Sequence, residues 1–306
     1  MHARLRATYR KANAAGVYSL QFLRLWWDQR VASLRTCLIF MSDESIPFDD
    51  RGFAYGDGLF ETVLVRDGYP LLWDAHIARL KEGCHRLGIA CPSLSYLAQL
   101  PAQAGNGLHV LKLVLTRGSG GRGYLSPIDA EPRLRWRITP FVPRAENWQG
   151  VRVRLCELQL GMQPRLAGIK HLNRLENVLA RQEWQDASIA EGLLCDNEGR
   201  LTEATAMNIF WLRDGQLETP CLSRCGVAGT LRATLLKRLP ISEVCRGIDV
   251  LNEVEALWLG NSVQGIWPVG YLEDTRGELV HSWRLPSNHD VFQKMAHQLL
   301  GYPGQG

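Results

Sequence analysis

The sequence contains no run of about 18 consecutive apolar residues, the length that a transmembrane helix requires. Its eight cysteines include no C-x-x-C pair, and the closest two, Cys221 and Cys225, have no second pair and no histidine at zinc-finger spacing. We therefore expect no membrane span and no metal site. The cysteines are scattered, several in apolar segments where a thiol acts as a small hydrophobe, which favours a reducing, cytoplasmic compartment.

Over most of the chain, positive and negative residues nearly balance, so the net charge is small. The net charge is +4, but residues 1–36 alone contribute +6, so the remainder sums to −2 and gives no reason to expect nucleic-acid binding. Residues 1–36 are rich in arginine, poor in acidic residues and include a short apolar patch. This composition is that of a transit peptide or a basic amphipathic helix, or it reflects translation that starts near Met41. We expect an appendage outside the fold.

The length of 306 residues suggests about two domains, and a hydrophobic content of 46% is enough for two cores. The segment Pro140-Phe141-Val142-Pro143 is bracketed by prolines and followed by polar residues, a composition typical of a domain boundary. We therefore predict a first domain over residues 37–143 and a second over residues 144–306.

Turn signals divide the first domain into short strands around one helix, and Asp67-Gly68 predicts a hairpin turn. We expect the helix to be capped by Asp74 and to end at Gly88. Its apolar residues recur at spacings of four and three, which predicts one buried stripe: Trp73, Ile77, Leu80, Cys84 and Leu87. His76 and Arg79 lie off this stripe, where Arg79 is either a solvated surface residue or a functional one. The predicted strands are 38–40, 62–65, 69–72, 110–116 and 134–139.

A glycine-rich segment, residues 118–123, formally matches the dinucleotide-binding pattern G-x-G-x-x-G. We reject that interpretation because Pro127 and Pro132 prevent a following helix and no acidic residue stands about 20 positions on. The segment also lacks the Lys-Ser/Thr of a phosphate-binding P-loop. It is either a plain flexible connection or a mobile loop that presents Arg122 and Tyr124, with the guanidinium group available to a carboxylate.

Lys170 is the most informative residue of the second domain. An apolar run, residues 166–169, leads into it, and Leu172, Leu175, Val178 and Leu179 follow at helical spacing. A lysine at such a half-buried junction has a lowered pKa, and its neutral amine is a nucleophile that forms a Schiff base with a carbonyl compound. The alternative is a lysine whose stem lies along the helix surface.

In the rest of the second domain we predict a strand at 151–155 and antiparallel hairpins between residues 192 and 211. We also predict a final helix near 289–300, with one apolar face formed by Val291, Met295 and Leu299. Glu203 stands in a small, apolar stretch, so we expect it to be buried with a partner. That partner is either a structural cation or a protonated heterocyclic nitrogen. The glycine turn 226–230 precedes a helix over 231–239 and forms either an ordinary cap or an anion site.

A nucleophilic lysine, a buried carboxylate, an arginine on a helix and an anion-binding helix start together meet the needs of pyridoxal phosphate. The chain resembles the branched-chain-aminotransferase-like group of pyridoxal-phosphate enzymes, known as fold type IV. The segments that carry the resemblance are 55–61, 76–80, 117–124, 166–176, 201–210 and 226–232. It implies an α/β (α+β) fold with a smaller N-terminal α/β domain and a larger C-terminal domain of mixed and antiparallel strands. The cofactor would lie in the cleft between the domains of a homodimer.

The resemblance also implies a role for individual residues. Lys170 would be the Schiff-base lysine and the acid–base group, and Glu203 would bind the pyridine nitrogen. The phosphate would be bound by Arg79, the backbone amides of Thr230 and Leu231, and Thr205. The substrate would meet Arg122, Tyr124 and Phe60.

Two positions depart from the D-amino-acid transaminases of this group, which have tyrosine where Phe60 stands and histidine where Tyr124 stands. The missing hydroxyl at Phe60 argues against a trap for an α-carboxylate. The segments are most similar to those of the lyases that convert 4-amino-4-deoxychorismate to 4-aminobenzoate and pyruvate, so we expect that reaction on a small-molecule substrate. The alternatives are a class IV aminotransferase for D-amino or branched-chain amino acids, and a non-catalytic cofactor-binding protein.

Overall fold

The computed structural model describes residues 40–41, 45–285 and 291–303, which belong to one compact unit. The predicted appendage over residues 1–36 lies outside the described residues. The described chain forms two sheets, one built before residue 141 and the other after residue 150. The predicted domain boundary at residue 143 falls between the two sheets, and their division into separate domains remains a prediction.

The first sheet is antiparallel throughout and has the strand order β1-β5-β4-β2-β3. Its strands are β1 (Phe40–Met41), β2 (Gly58–Arg66), β3 (Tyr69–Pro70), β4 (Leu108–Thr116) and β5 (Arg133–Pro140). The predicted turn joins β2 to β3, and both of its residues have positive φ, 51° at Asp67 and 80° at Gly68. Aspartate and glycine tolerate this backbone better than most residues, which is why the dipeptide predicted the hairpin.

Helix α2 (Trp73–Leu87) packs on this sheet and ends at Gly88, whose φ of 63° confirms the predicted stop. The prediction that Asp74 caps the helix is wrong, because the cap lies two residues earlier, at Leu72, and the helix begins at Trp73. Asp74 instead lies in the first turn, where a carboxylate favours the helix dipole. Leu80 and Cys84 are buried as predicted, but so is His76. Short helices α1 (Arg51–Tyr55) and α3 (Leu94–Leu97) and a 3₁₀ turn (Pro101–Ala104) complete this part.

The second sheet is mixed and has the order β11-β10-β9-β12-β13-β6-β7-β8, with β14 also paired to β13. Its strands are β6 (Val151–Leu160), β7 (Ile189–Asp196), β8 (Leu201–Ala204), β9 (Asn208–Arg213), β10 (Gln216–Pro220), β11 (Ile241–Val244), β12 (Ala256–Asn261), β13 (Gly265–Glu273) and β14 (Leu279–Ser282). The pairs β10–β11, β13–β6 and β6–β7 are parallel. This mixture agrees with the predicted C-terminal architecture.

Three helices accompany the second sheet: α4 (Leu175–Arg181), α5 (Thr230–Leu236) and α6 (Val291–Leu299). This part of the chain also contains two 3₁₀ segments, Ala145–Gln149 and Ile248–Asn252. The predicted helix over 231–239 is therefore shorter and starts one residue earlier. No helix among the described residues has the length and apolar character needed to span a bilayer.

Two predicted apolar faces are wrong. Val291 is 71% exposed, and α6 instead buries Phe292 and Ala296, because the aromatic ring of Phe292 packs against Phe210 and Trp258. On α4, the predicted apolar residues Leu175, Val178 and Leu179 are exposed, with Leu175 at 68%. Periodicity identified an apolar stripe there, but within one chain nothing among the described residues covers it.

Candidate active site

A cavity of about 930 Å³ lies between the two sheets. Residues from β2, α2, α4, β7, β8 and the turn before α5 line it, together with the segment that carries Lys170. Its volume is in the range of about 300–1,000 Å³ that is usual for small-molecule sites. The sequence-predicted residues on its wall are Phe60, Arg79, Lys170, Glu203, Thr205 and Thr230.

Backbone pairing fixes Lys170 at this wall. Its carbonyl accepts a hydrogen bond from the Phe60 amide (2.9 Å), and the Leu172 amide donates to the Gly58 carbonyl (3.0 Å). The preceding residue, Ile169, is 1% exposed and belongs to the core of the first sheet. Helix α4 begins at Leu175, five residues after Lys170. Lys170 thus precedes a helix, as the sequence predicted, but the residues before it form a turn over 164–167 rather than an extended segment. The backbone on either side of Lys170 is hydrogen-bonded to β2.

The surroundings of Lys170 disfavour its ammonium form. Burial and the nearby guanidinium groups of Arg79 and Arg174 lower the pKa of Lys170 to about 8, although Glu61 and Glu203 act in the opposite direction. Its Nζ lies 4.4 Å from the centre of the Phe60 ring. A substantial fraction of the amine is therefore neutral, and nucleophilic, at mildly alkaline pH.

Glu203 lies on β8 and is 4% exposed, which confirms the expected burial. Its Oε2 accepts a hydrogen bond from the Val227 amide at 2.8 Å. Burial raises the pKa of Glu203, while the Val227 amide, Arg174 and Lys170 partly offset that rise. A buried carboxylate of this kind gains most from a cationic partner inside the cavity.

Arg79 is held from three directions rather than solvated. Its Nε and Nη2 donate to the two carboxylate oxygens of Glu61 at 2.8 and 2.6 Å, and its Nη1 donates to the Ala228 carbonyl at 3.0 Å. His76 Nδ1 lies 2.6 Å from Glu61, and its Nε2 lies 3.3 Å from the Thr230 hydroxyl. A guanidinium has five N–H donors, so two remain for a ligand.

Glu61 is only 1% exposed, but its carboxylate stays ionised between Arg79 and His76. Burial alone would raise its pKa, but the charge and hydrogen bonds of Arg79, with a further hydrogen bond to His76, hold the pKa of Glu61 at about 2. Burial lowers the pKa of His76. An ionised carboxylate therefore fixes the orientation of Arg79 at neutral pH.

The turn before α5, which the sequence predicts to bind phosphate, places Thr230 but not Leu231 on the cavity wall. Gly229 caps α5, and the first backbone bond of that helix runs from the Ala233 amide to the Gly229 carbonyl at 2.8 Å. The Thr230 and Leu231 amides thus precede the first helical bond. The Leu231 side chain is fully buried and Leu231 is not on the cavity wall, whereas Thr230 is. Thr205 also lines the cavity, and its hydroxyl donates to Glu191.

The glycine loop does not bring Arg122 and Tyr124 to this cavity. The next element after the loop is strand β5 and not a helix, as Pro127 and Pro132 predicted. Tyr124 is 89% exposed and its ring lies 5.6 Å from that of Tyr55. Arg51 donates to the carbonyls of Gly123 (3.0 Å) and Tyr124 (3.1 Å), which anchors the loop to α1.

Sequence reasoning missed several residues of the wall. Arg174 is the N-cap of α4, and Asn177 and Arg181 lie within that helix. All three line the cavity at spacings of three and four residues, a polar stripe that periodicity could have identified. Arg174 donates to the His171 carbonyl at 3.0 Å and the Ile169 carbonyl at 3.3 Å, on either side of Lys170.

Glu191 was also missed. It stands in the apolar strand β7, which is the same signal that identified Glu203. Burial raises the pKa of Glu191 to about 7, although hydrogen bonds from Thr205 and Gly192 oppose the rise. The cavity therefore has two buried carboxyl groups, one beside the Lys170 segment and the other behind Thr205.

Several known proteins are similar to this chain in sequence. A family model described as amino-transferase class IV matches residues 58–271. An aminodeoxychorismate lyase from Vibrio harveyi is 33% identical over 234 residues, which cover 73% of this chain and 86% of that protein. A D-alanine aminotransferase from Bacillus licheniformis is 27% identical over 205 residues, which cover 64% of this chain and 70% of that protein.

A solved structure agrees with these relatives. The crystal structure of 4-amino-4-deoxychorismate lyase from Pseudomonas aeruginosa has a TM-score of 0.76 to this chain at 40% sequence identity. The similarity covers 85% of this chain and 98% of that one. The family match contains most strands of both sheets and every residue on the wall of the Lys170 cavity, and the chain therefore belongs to the class IV amino-transferase family.

Proposed function

We propose that this chain is a pyridoxal-phosphate-dependent lyase of folate biosynthesis that converts 4-amino-4-deoxychorismate to 4-aminobenzoate and pyruvate. The observation that carries the proposal is the Lys170 amine, which has a pKa of about 8 and shares a cavity with Glu203 and Arg79. Similarity to the Pseudomonas aeruginosa lyase, at 40% identity, supports this substrate over an amino acid.

The donor set of the cavity fits pyridoxal phosphate. Lys170 offers an amine for the cofactor's carbonyl carbon, and Glu203 offers a buried carboxylate that needs a cationic partner such as a protonated pyridine nitrogen. Arg79 retains two free N–H donors for phosphate oxygens after its bonds to Glu61 and Ala228. The Thr230 hydroxyl and the Thr230 and Leu231 amides complete the proposed phosphate site. Thr205 lines the same cavity, but its hydroxyl donates to Glu191 and its amide to the Gly192 carbonyl, so the expected contribution of Thr205 would require a change in these bonds.

When bound, the cofactor supplies an electron sink for the pair left by the departing C4 proton. Lys170 removes that proton as a neutral amine, and the carboxylate of Glu203 holds a proton on the pyridine nitrogen. The bond between C3 of the ring and the enolpyruvyl oxygen then breaks. Lys170, now an ammonium group, protonates the departing enolpyruvyl group to give pyruvate. Acid–base help of this kind contributes roughly 10²–10⁴-fold, and aromatisation of the ring makes the reaction irreversible in practice.

A homodimer would supply the remaining substrate contacts. Arg122 and Tyr124 lie off the wall of their own cavity, so we propose that they serve the cavity of a second copy, where Arg122 would bind a carboxylate remote from the reacting amine. The exposed apolar residues of α4, of which Val178 lines the cavity, suit such an interface. Seven described cysteines are free thiols, which supports our proposal of a cytoplasmic enzyme.

The test is a paired product assay on the purified full chain with pyridoxal phosphate. We expect 4-amino-4-deoxychorismate to yield pyruvate and 4-aminobenzoate in equal amounts, and D-alanine with 2-oxoglutarate to yield little amino transfer. Efficient transfer from D-alanine without aminobenzoate release would favour the aminotransferase alternative. If there is no turnover and the absorbance does not change on cofactor addition, both the lyase and the aminotransferase assignments are wrong.

Lys170→Ala is the control for the nucleophile. This variant should lose turnover, because no other amine on the cavity wall is available to the cofactor's carbonyl. Borohydride treatment should link the cofactor to Lys170 in the parent chain and to no residue in the variant. A reducible link at another lysine would overturn the assignment of Lys170.

A further inference from the structure

We propose that Cys221 and Cys245 are an oxidative modification site, at which a peroxide-class oxidant converts the two thiols to an intramolecular disulfide. The site lies at the edge of the second sheet and does not rest on the proposed function. Cys221 directly follows β10 and Cys245 directly follows β11.

The strand register brings the two cysteines side by side. Strands β10 and β11 are parallel, Pro220 pairs with Val244, and the Cys221 amide donates to the Val244 carbonyl at 2.8 Å. Cys221 and Cys245 are therefore the next matched positions, where side chains leave the same side of a parallel pair. Neighbouring strands lie about 4.8 Å apart, within the range of about 4.4–6.8 Å between Cα atoms that a disulfide accepts. The two thiols lie within hydrogen-bonding reach of each other.

Both thiols are open to a small oxidant. Cys245 is exposed, Cys221 is partly exposed, and β11 is the outermost strand of the sheet. The Ser223 hydroxyl lies 3.2 Å from the Cys221 sulfur. Hydrogen bonding from Ser223, with a further contribution from Cys245, lowers the pKa of Cys221. The more acidic thiol is the one that reacts first, because the thiolate is the nucleophile.

The chemistry balances with hydrogen peroxide as the oxidant. The Cys221 thiolate attacks one peroxide oxygen, the O–O bond breaks, and a sulfenic acid and one water are formed. The Cys245 thiol then attacks the Cys221 sulfur, the S–O bond breaks, and the second water leaves with the disulfide in place. Overall the two thiols lose two electrons and two protons, and peroxide is reduced to two molecules of water.

The other described cysteines provide an internal comparison. Cys84 and Cys91 also contact each other, but Cys84 is buried and its burial raises the pKa of that thiol to about 12. Burial likewise raises the pKa values of Cys156 and Cys195 to about 12. Oxidation should therefore favour the sheet-edge pair over Cys84, Cys156 and Cys195.

The disulfide would act on a segment that reaches the cavity. Cys221 opens the stretch that runs to Val227, whose amide holds Glu203, and Leu222 within it is buried. Tethering Cys221 to the end of β11 closes the loop between them and restrains the unfolded chain. We expect the unfolding temperature to rise by roughly 5–10 °C.

The test treats the reduced full chain with dilute hydrogen peroxide, blocks remaining thiols with an alkylating agent, and maps peptides without reduction. We expect one linked peptide pair, Cys221 with Cys245, lighter by two hydrogens and restored by dithiothreitol. In Cys245→Ser, Cys221 should instead persist as a sulfenic acid that dimedone traps. Cys91→Ser is the matched control, and its linkage at Cys221 should form at the parent rate.

Two results would overturn the proposal. One is a peroxide-treated chain in which Cys84 and Cys91 link before the sheet-edge pair does. The other is full alkylation of Cys221 and Cys245 after enough peroxide to oxidise free glutathione completely. Neither result would bear on lyase activity, which is measured separately under reducing conditions.

Discussion

Replacing Lys170 with methionine should make the cofactor-free chain more stable at neutral pH. Burial and neighbouring cations lower the pKa of Lys170 from 10.5 to about 8, so the folded protein binds this proton less tightly than the unfolded chain does. Each pKa unit corresponds to about 1.4 kcal/mol, so charging Lys170 costs the folded state up to about 3 kcal/mol at pH 7. Methionine has a similar length and carries no charge to desolvate.

The sign of the pH dependence follows from the same values. Above pH 10.5 neither state binds the proton and Lys170 has no effect. As the pH falls from 10.5 to 8 the unfolded chain takes up a proton that the folded chain does not, so stability is lost across that window and then levels off. The advantage of Lys170→Met should therefore be about 3 kcal/mol at pH 7 and less than about 1 kcal/mol at pH 10.

Urea unfolding of the cofactor-free protein at pH 7 and pH 10 measures this difference. Lys81→Met is the matched control, because Lys81 is an exposed lysine on α2 and its replacement should change stability by no more than about 0.5 kcal/mol. The reasoning fails if Lys170→Met is no more stable than the parent chain at pH 7, or if its advantage is the same at both pH values.

Three further outcomes test the site. Glu203→Gln should fold but lose most lyase activity, since a neutral amide cannot keep the pyridine nitrogen protonated; a loss below tenfold, about 1.4 kcal/mol, would make Glu203 structural. Glu61→Gln should lower the unfolding free energy by about 3 kcal/mol at pH 7, because the pKa of Glu61 lies at about 2, and urea unfolding should show that difference disappear as the pH falls from 4.5 through 2. Arg122→Lys should raise KM more than it lowers kcat in the pyruvate assay, since a carboxylate contact exists in both ground and transition states; an unchanged KM would remove Arg122 from the substrate site.

Local sequence determined much of the secondary structure and two central residues of the site. The Asp67-Gly68 turn, the stop at Gly88 and the strands around them depend on backbone preferences within a few residues, so pattern reasoning found them. Lys170 and Glu203 were identifiable because a charged residue inside an apolar segment is unusual wherever the segment lies. Six motifs in a fixed order were enough to predict the family.

Tertiary structure alone decided which residues surround those two. Glu61, on β2, meets Arg79 and His76 of α2 only because the helix packs on that sheet, and no local pattern marks the pairing. Periodicity located the apolar stripe of α4 but not what covers it. It also predicted the wrong buried face for α6, because the packing of Phe292 against Phe210 determines which face of that helix is buried. Local preferences act over a single turn of chain. Burial, ion pairing and lowered pKa values depend on segments far apart in sequence, and these meet only in the folded protein.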